Sequence, residues 1–396
     1  MPLYTFAAFF LNTREFYQLG ANMALLNTVD PDGLLEYSVV FTDRSLNHMS
    51  QTFQGAMRDI SSTLKEVYSA DGVVVVPGGG TYGMESVARQ FAQNKKCLVI
   101  RNGFFSFRWS QIFEMASLPS EEIVLKARRS TNSDTAPFAP APIEDVVATI
   151  KAEKPDMVFA PHVETASGMI LPDDYIKQVA DAAREVDALF VLDCIASGTV
   201  WVDMKATGVD ILISAPQKGW SASPCAALVM LNERALKVLE GTTSNSFACD
   251  LKKWQSIMQA YENGGHAYHA TMPTDALLQF RDTMLETKEY GFEKVKAEQI
   301  ELGQKVRTML EARGIESVAA KGFQAPGVVV NYTDDADMQN TKKFAALGMQ
   351  AAGGVPLMCD EGEGFKSFRL GLFGLDKLHN IDRTVSNLEA VLDKMQ

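Results

Sequence analysis

Lys218 stands in the run Ser214-Ala215-Pro216-Gln217-Lys218-Gly219, directly after the apolar stretch DILIS. A lysine at the end of a buried strand is costly to keep charged, so it gives up its proton more readily than in water and can attack a carbonyl. Asp193 closes the stretch LFVLD, 25 residues earlier. If it faces the same crevice, its carboxylate can keep the ring nitrogen of a bound heterocycle protonated. A third signal is Gly78-Gly79-Gly80-Thr81, between the β-branched run GVVVVP and a helical pattern. Bare N–H groups at a helix start, with a threonine hydroxyl beside them, suit a phosphate. The pattern is neither GxGxxG nor a P-loop, which gives a dinucleotide or ATP little support. Singly, each signal has an ordinary alternative: a loop lysine, a helix-capping acid, a tight strand–helix turn. Together they are harder to dismiss. A phosphate-type loop, an aromatic pair (Phe104, Phe105), a polar strand end (His162, Glu164, Thr165), an acid and a lysine follow one another at successive strand ends.

The elements that must position these residues alternate. Helical spacing covers 52–69, a helix opens at 78–81 and runs to about 94, and further helices are expected over 143–153 and 173–186. Strands are expected over 72–77, 97–101, 122–126, 156–161, 189–193, 210–214 and 226–230. Continuous apolar strands between amphipathic helices predict an α/β fold with a mostly parallel sheet covered on both faces. Ligands of such sheets sit at the carboxyl ends of the strands, here the loops after residues 77, 101, 161, 193 and 214. After about residue 275 the character changes to one long helical pattern (275–313), a strand at 327–332, a helix near 338–347, a strand at 367–370 and a helix at 380–395. The expected organisation is an arm over 1–40, a large domain over 41–274 and a smaller α+β domain over 275–396 that begins with a long linking helix.

A chain of 396 residues with 46 % hydrophobic and 22 % charged residues fits one large and one smaller globular unit. Its net charge of −12 argues against nucleic acid or an anionic membrane face as partner, while leaving room for a locally basic pocket. No apolar run is long enough to span a membrane. The opening MPLYTFAAFFLNTREF lacks the basic flank and cleavage site of a signal peptide. The five cysteines (Cys97, Cys194, Cys225, Cys249, Cys359) are scattered without metal-ligand spacing. That predicts free thiols, no metal site and a reducing, cytoplasmic setting.

The segment LFVLDCIASGTVWVDMKATGVDILISAPQKGWSASPCAALVMLNERA resembles the core of class V aminotransferases of pyridoxal-phosphate (PLP) fold type I, nearest to the alanine–glyoxylate and serine–glyoxylate group. The resemblance runs from about residue 42 to 375. It implies a seven-stranded, mostly parallel sheet and pyridoxal 5'-phosphate bound as a Schiff base on Lys218, with Asp193 at the pyridine nitrogen. GGGTYGME resembles the family's phosphate loop, with Gly79, Gly80 and Thr81 at the contacting positions. NGFF nominates Phe105 as the ring-stacking aromatic, and HVETASG nominates Thr165 beside the phenolic oxygen. Ile195 matches the residue under the ring and Gln217 a polar neighbour. YHAT resembles the segment that crosses a dimer interface to the partner's phosphate, through Tyr268 and Thr271, and FRLGLFG resembles the substrate-carboxylate motif, here Arg369. The resemblance therefore also implies a homodimer with shared active sites.

The chain departs from the family at its opening, where ALLNTVDPDGLLEYS replaces a Gly-Pro-rich segment, at Pro77-Gly78, and at Phe105, where Trp is frequent. These departures leave the cofactor expectation in place and the substrate open. The expected activity is transamination from a small amino acid to a 2-oxo acid such as glyoxylate or pyruvate. The alternatives are other PLP chemistry: a 2-aminoethylphosphonate-type transaminase, served by Arg44, Arg101 or Arg108; a lyase or racemase; or a cysteine desulfurase using Cys359. A non-catalytic binding module is disfavoured, because it has no reason to keep Thr81, Asp193, Lys218 and Arg369 together.

Overall fold

The computed structural model describes residues 37–42 and 45–395. Most of the expected arm over 1–40, and Arg44, lie outside the described residues. The elements that frame the site are, in chain order, α1 (Gln51–Tyr68), β1 (Gly72–Pro77), α2 (Gly80–Phe91), β2 (Lys96–Arg101), α3 (Phe104–Ala116), β3 (Glu121–Lys126), α4 (Ile143–Glu153), β4 (Met157–Pro161), α5 (Asp173–Glu185), β5 (Leu189–Asp193), β6 (Ile211–Ser214) and β7 (Ala226–Leu231). They are followed by α6 (Thr274–Tyr290), α7 (Phe292–Ala312), β8 (Val328–Tyr332), β9 (Ala352–Gly353), β10 (Ser367–Gly371) and α8 (Ile381–Asp393).

Seven strands form one sheet in the order β1-β7-β6-β5-β4-β2-β3. The pairs β6–β5, β5–β4, β4–β2 and β2–β3 are parallel. β7 runs antiparallel to both β6 and β1. The reason is the connection: only residues 215–225 separate β6 from β7, with no crossover helix, and a parallel return needs a longer path. Val73–Val76, Leu98–Ile100, Phe190–Leu192 and Ile211–Ile213 are all buried, which explains their unbroken apolar runs. Each such side chain contributes about 1.5–3 kcal/mol by leaving water. The same apolar cluster continues through Leu277 and Phe280 on α6 and Leu302 and Val306 on α7 to Val329 and Phe368 of the smaller sheet β8-β10-β9.

Two expectations are corrected and one element is new. The long helix over 275–313 is two helices, broken at Gly291 with φ +106°. α6 lies with the large sheet, where Asp275 accepts from Leu46 N (2.9 Å) and Arg281 pairs with Asp59 (2.9 Å), whereas α7 packs on α8. The helix near 338–347 is likewise two short ones, Ala336–Gln339 and Lys342–Ala346, separated by Thr341 at φ +66°. The helix α3 was not expected from the sequence. Its buried face includes Ser106 and Ser110 beside Trp109, Ile112 and Phe113, so its apolar period is blurred.

Candidate active site

Parallel pairing of β2, β4, β5 and β6 brings their carboxyl ends to one edge: Asp193 lies opposite Ile213 on one side and Pro161 on the other. β1 ends at the same edge, because Pro77 pairs with the first residue of β7, Ala226. The five loops named from the sequence therefore converge. They enclose a cavity of about 420 Å³ lined by Gly80, Thr81 and Met84 of α2, Phe105 and Arg108 of α3, Val163 and Thr165, Asp193, Ile195 and Ala196, Gln217 and Lys218. The smaller sheet closes it with Val328, Ala352, Arg369, Leu370 and Gly371, and Phe373 just beyond β10 completes the wall. A larger, more open groove of about 690 Å³ runs past Asp134, Glu316 and Asp334 and holds none of the residues singled out.

Lys218 sits on the loop between β6 and β7, its Nζ 5.2 Å from the centre of the Phe373 ring. Burial lowers its affinity for a proton, and the nearby Arg369 charge lowers it further. Asp193 is 6 % exposed, and its Oδ1 accepts from Ile195 N at 2.9 Å. Burial pushes its pKa up to about 7; the Ile195 hydrogen bond opposes this, the charge of Glu164 adds to it and that of Arg108 opposes it. Gln217 turns a buried Oε1 that has no hydrogen-bond partner among the described residues. Thr81 Oγ1 accepts from Arg108 Nη1 at 3.0 Å. Gly80, the first residue of α2, must lack a side chain, because a Cβ there would meet Ile195 Cδ1 at 2.5 Å. Arg369 donates from Nε to Gly353 O (2.7 Å), and its guanidinium lies 5.5 Å from the centre of the Phe105 ring. Among the described residues, Lys218, Arg108 and Arg369 form no ion pair.

Nine of the residues singled out from the sequence thus line one cavity: Gly80, Thr81, Phe105, Thr165, Asp193, Ile195, Gln217, Lys218 and Arg369. Three do not. Gly79 is the extended N-cap of α2. Tyr268 and Thr271 are exposed and share a hydroxyl–hydroxyl bond of 3.0 Å away from the cavity of their own chain. His162 is also off the cavity: it is buried, pairs through Nδ1 with Ser197 Oγ at 2.7 Å, and its pKa is pushed down to about 3 by burial, so it is a neutral structural group. Cys359 faces away as well, with Sγ against the carbonyls of Arg101 and Leu357, and burial raises its thiol to about 12.

Sequence reasoning gave no role to Glu164, the most heavily bonded acid near the site. Fully buried, it accepts from Phe105 N (3.1 Å), Ser106 N (2.9 Å), Ser106 Oγ (2.7 Å) and Ala166 N (2.9 Å). Helix α3 opens on Gly103, which has no capping side chain, so its first N–H groups need an acceptor from elsewhere in the fold. The pair Asn102-Gly103 ahead of an aromatic run was the available signal. Of the two candidate arginines that fall among the described residues, Arg101 and Arg108, it is Arg108 that stands on the cavity wall. Arg101 instead donates to Ser110 Oγ (2.6 Å) and Met358 O (3.4 Å).

A lysine, a buried acid and a helix start gathered at the carboxyl edge of this sheet form the architecture of a PLP enzyme of fold type I. The class V aminotransferase family matches residues 34–346, and the chain belongs to that family. Class V aminotransferases of this fold depend on PLP. The chain is 24 % identical over 355 residues to the small subunit of a soluble hydrogenase from Synechococcus sp., with 88 % of each chain covered. It is also 24 % identical over 282 residues to an L-aspartate–glyoxylate aminotransferase from Paracoccus denitrificans, covering 70 % of this chain and 68 % of that one. The fold matches that of an alanine–glyoxylate aminotransferase from Nostoc sp. with a TM-score of 0.72 at 19 % identity, over 96 % of this chain and 92 % of that one. The residues present fit the cofactor. Among the described residues, Asp193 is a buried carboxyl in no ion pair, Gln217 Oε1 has no hydrogen-bond partner, and Lys218 is a desolvated amine in no ion pair.

Proposed function

We propose that this aminotransferase moves the amino group of a small amino acid to a 2-oxo acid such as glyoxylate or pyruvate, with the cofactor held covalently by Lys218. The observation that carries this reading is the charge of the cavity. Arg108, Lys218 and Arg369 face one acid, Asp193, inside a chain of net charge −12. Such a pocket suits a phosphate and a carboxylate together.

PLP, when bound, supplies the electron sink for the pair left at the substrate's α-carbon. The chain's own groups do the rest. The Gly80 N–H at the start of α2 and the Thr81 hydroxyl would hold the phosphate. Phe105 and Ile195 would hold the ring, and Asp193 would keep a proton on its nitrogen. Thr165 and Gln217 supply polar neighbours at its edge. Arg369 grips the substrate carboxylate through its free N–H groups. Lys218 Nζ would accept the proton from the substrate's α-carbon, a role suited to an amine whose pKa burial has lowered. Tyr268 and Thr271 reach the phosphate of a partner subunit, which makes the working unit a homodimer. The division into an arm over 1–40, a large domain over 41–274 and a small domain over 275–396 belongs to the same reading, as does a cytoplasmic setting. Among the described residues no helix is long and apolar enough to cross a membrane. The desulfurase alternative needs a mobile cysteine near the substrate, and the buried, inward-bonded Cys359 is poorly suited to that.

The test is an absorbance spectrum of the purified protein. A band near about 410–430 nm, absent from Lys218→Ala, identifies the lysine. Amino acids that move the band toward about 330 nm, and oxo acids that restore it, name the substrates. A band that no amino acid converts would replace transamination by lyase or racemase chemistry.

A further inference from the structure

We infer that Arg108 anchors the phosphate of the cofactor, so that a guanidinium fork as well as the start of α2 holds that group. This rests on the reading that the cavity holds PLP on Lys218, and adds to it a residue without an assigned role.

Three observations locate it. Arg108 lines the cavity without a carboxylate partner among the described residues, and a half-buried guanidinium without an acid is poised for a ligand anion. Its Nη1 donates to Thr81 Oγ1 at 3.0 Å, which fixes the guanidinium at the first turn of α2, the anion-binding end of the cavity. Its carbon lies 5.3 Å from the centre of the Phe105 ring, a contact that holds the fork in place before any ligand arrives. Arg369 stacks on the same ring but is tied by Nε to Gly353 O in the smaller sheet. The two arginines are thus anchored to different parts of the fold, Arg108 to the α2 end and Arg369 to the small sheet. A phosphate seated at the N–H groups of α2 would take Nη donors from Arg108 as charge-assisted hydrogen bonds.

The test compares two ligands that differ only in the phosphate. Cofactor-free protein is titrated with PLP and with pyridoxal, and binding is followed by the visible band. Arg108→Met should weaken PLP about 10- to 100-fold, the loss expected for hydrogen bonds to a charged group, and leave pyridoxal unchanged. Arg108→Lys, which keeps the charge without the fork, should fall between. Equal weakening of both ligands would overturn the inference in favour of a purely structural arginine. Unchanged PLP binding would overturn it too, whether or not a dicarboxylate or phosphonate substrate then reacts more slowly, an outcome that would make Arg108 a substrate residue. Should Arg108→Met fail to fold, Arg108→Lys is compared with wild type for competition by inorganic phosphate against PLP. Weaker competition in the variant supports the anchor and equal competition refutes it. If neither ligand gives a band in wild type, the assignment of Lys218 fails instead.

Discussion

Asp193 and His162 are buried within the same part of the fold and respond to pH in opposite senses. The folded Asp193 carboxyl keeps its proton up to about pH 7, whereas an unfolded chain releases it near about 4. The folded state therefore binds more protons across that window, and this contribution to stability is lost as pH rises through it. His162 stays neutral in the fold down to about pH 3, while the unfolded chain takes up a proton below about 6.5, so its contribution is lost as pH falls. In cofactor-free protein, Asp193→Asn should remove the first effect and keep the second. Urea denaturation at pH 4.5 and 7.5 should show the variant gaining on wild type by a few kcal/mol at the higher pH; no relative gain would mean that Asp193 is ionised in the fold. Cys359 allows a simpler test. Its thiol is buried and raised to about 12, so the native protein should resist iodoacetamide there at pH 8, and Cys359→Ser should retain turnover within about twofold. Loss of activity in that variant would revive a catalytic cysteine.

At the scale of elements, α3 depends on an acid from another loop. Glu164 meets the N–H groups of Phe105 and Ser106, and so sets the position of the ring face and of Arg108 one turn on. Glu164→Gln keeps the shape but turns two of its four donors toward an amide NH₂, which should cost about 2 kcal/mol or more in stability. Glu164→Ala should cost more and weaken PLP and pyridoxal alike, because it disturbs Phe105 rather than the phosphate. Thermal melts and the same titrations check both; an undisturbed Glu164→Ala protein would remove this role. The site-bearing strands could be read from their apolar runs: 72–77 and 189–193 match β1 and β5 residue for residue. The antiparallel run of β7 could not be read from its own pattern, because AALVM is the same in either direction; only the short connection over 215–225 carries that information. Nor could the break at Gly291, since helical spacing continues on both sides of one glycine.

At the scale of the whole molecule, the proposed sharing of Tyr268 and Thr271 predicts complementation between protomers. Lys218→Ala protein and Tyr268→Phe/Thr271→Ala protein should each be impaired. Mixed and allowed to exchange, they should form hybrid dimers with one intact site, in which wild-type Lys218 meets wild-type Tyr268 and Thr271. Recovered activity after exchange, with a dimer mass by sedimentation, checks the prediction; no recovery in a verified hybrid would place the Tyr268–Thr271 pair outside the shared site.

The sequence by itself determined the chemistry that Lys218, Asp193, Thr81 and Arg369 could perform. It also determined that Lys218, Asp193 and Thr81 stand at or just after strand ends, because residue type and hydrophobic period are local properties. Of the twelve residues nominated by these signals together with the family resemblance, nine come to one cavity. Which groups were left for structure is equally a matter of physics. The facing side of a buried acid, as with Glu164 against α3 and His162 against Ser197, depends on contacts between residues 59 and 35 positions apart. The same holds for Arg108, one of three arginines alike in sequence, which differs from Arg101 only in lining the cavity beside Thr81 rather than bonding inward. Spacing along the chain carries no record of such contacts; the packing of the sheet decides them.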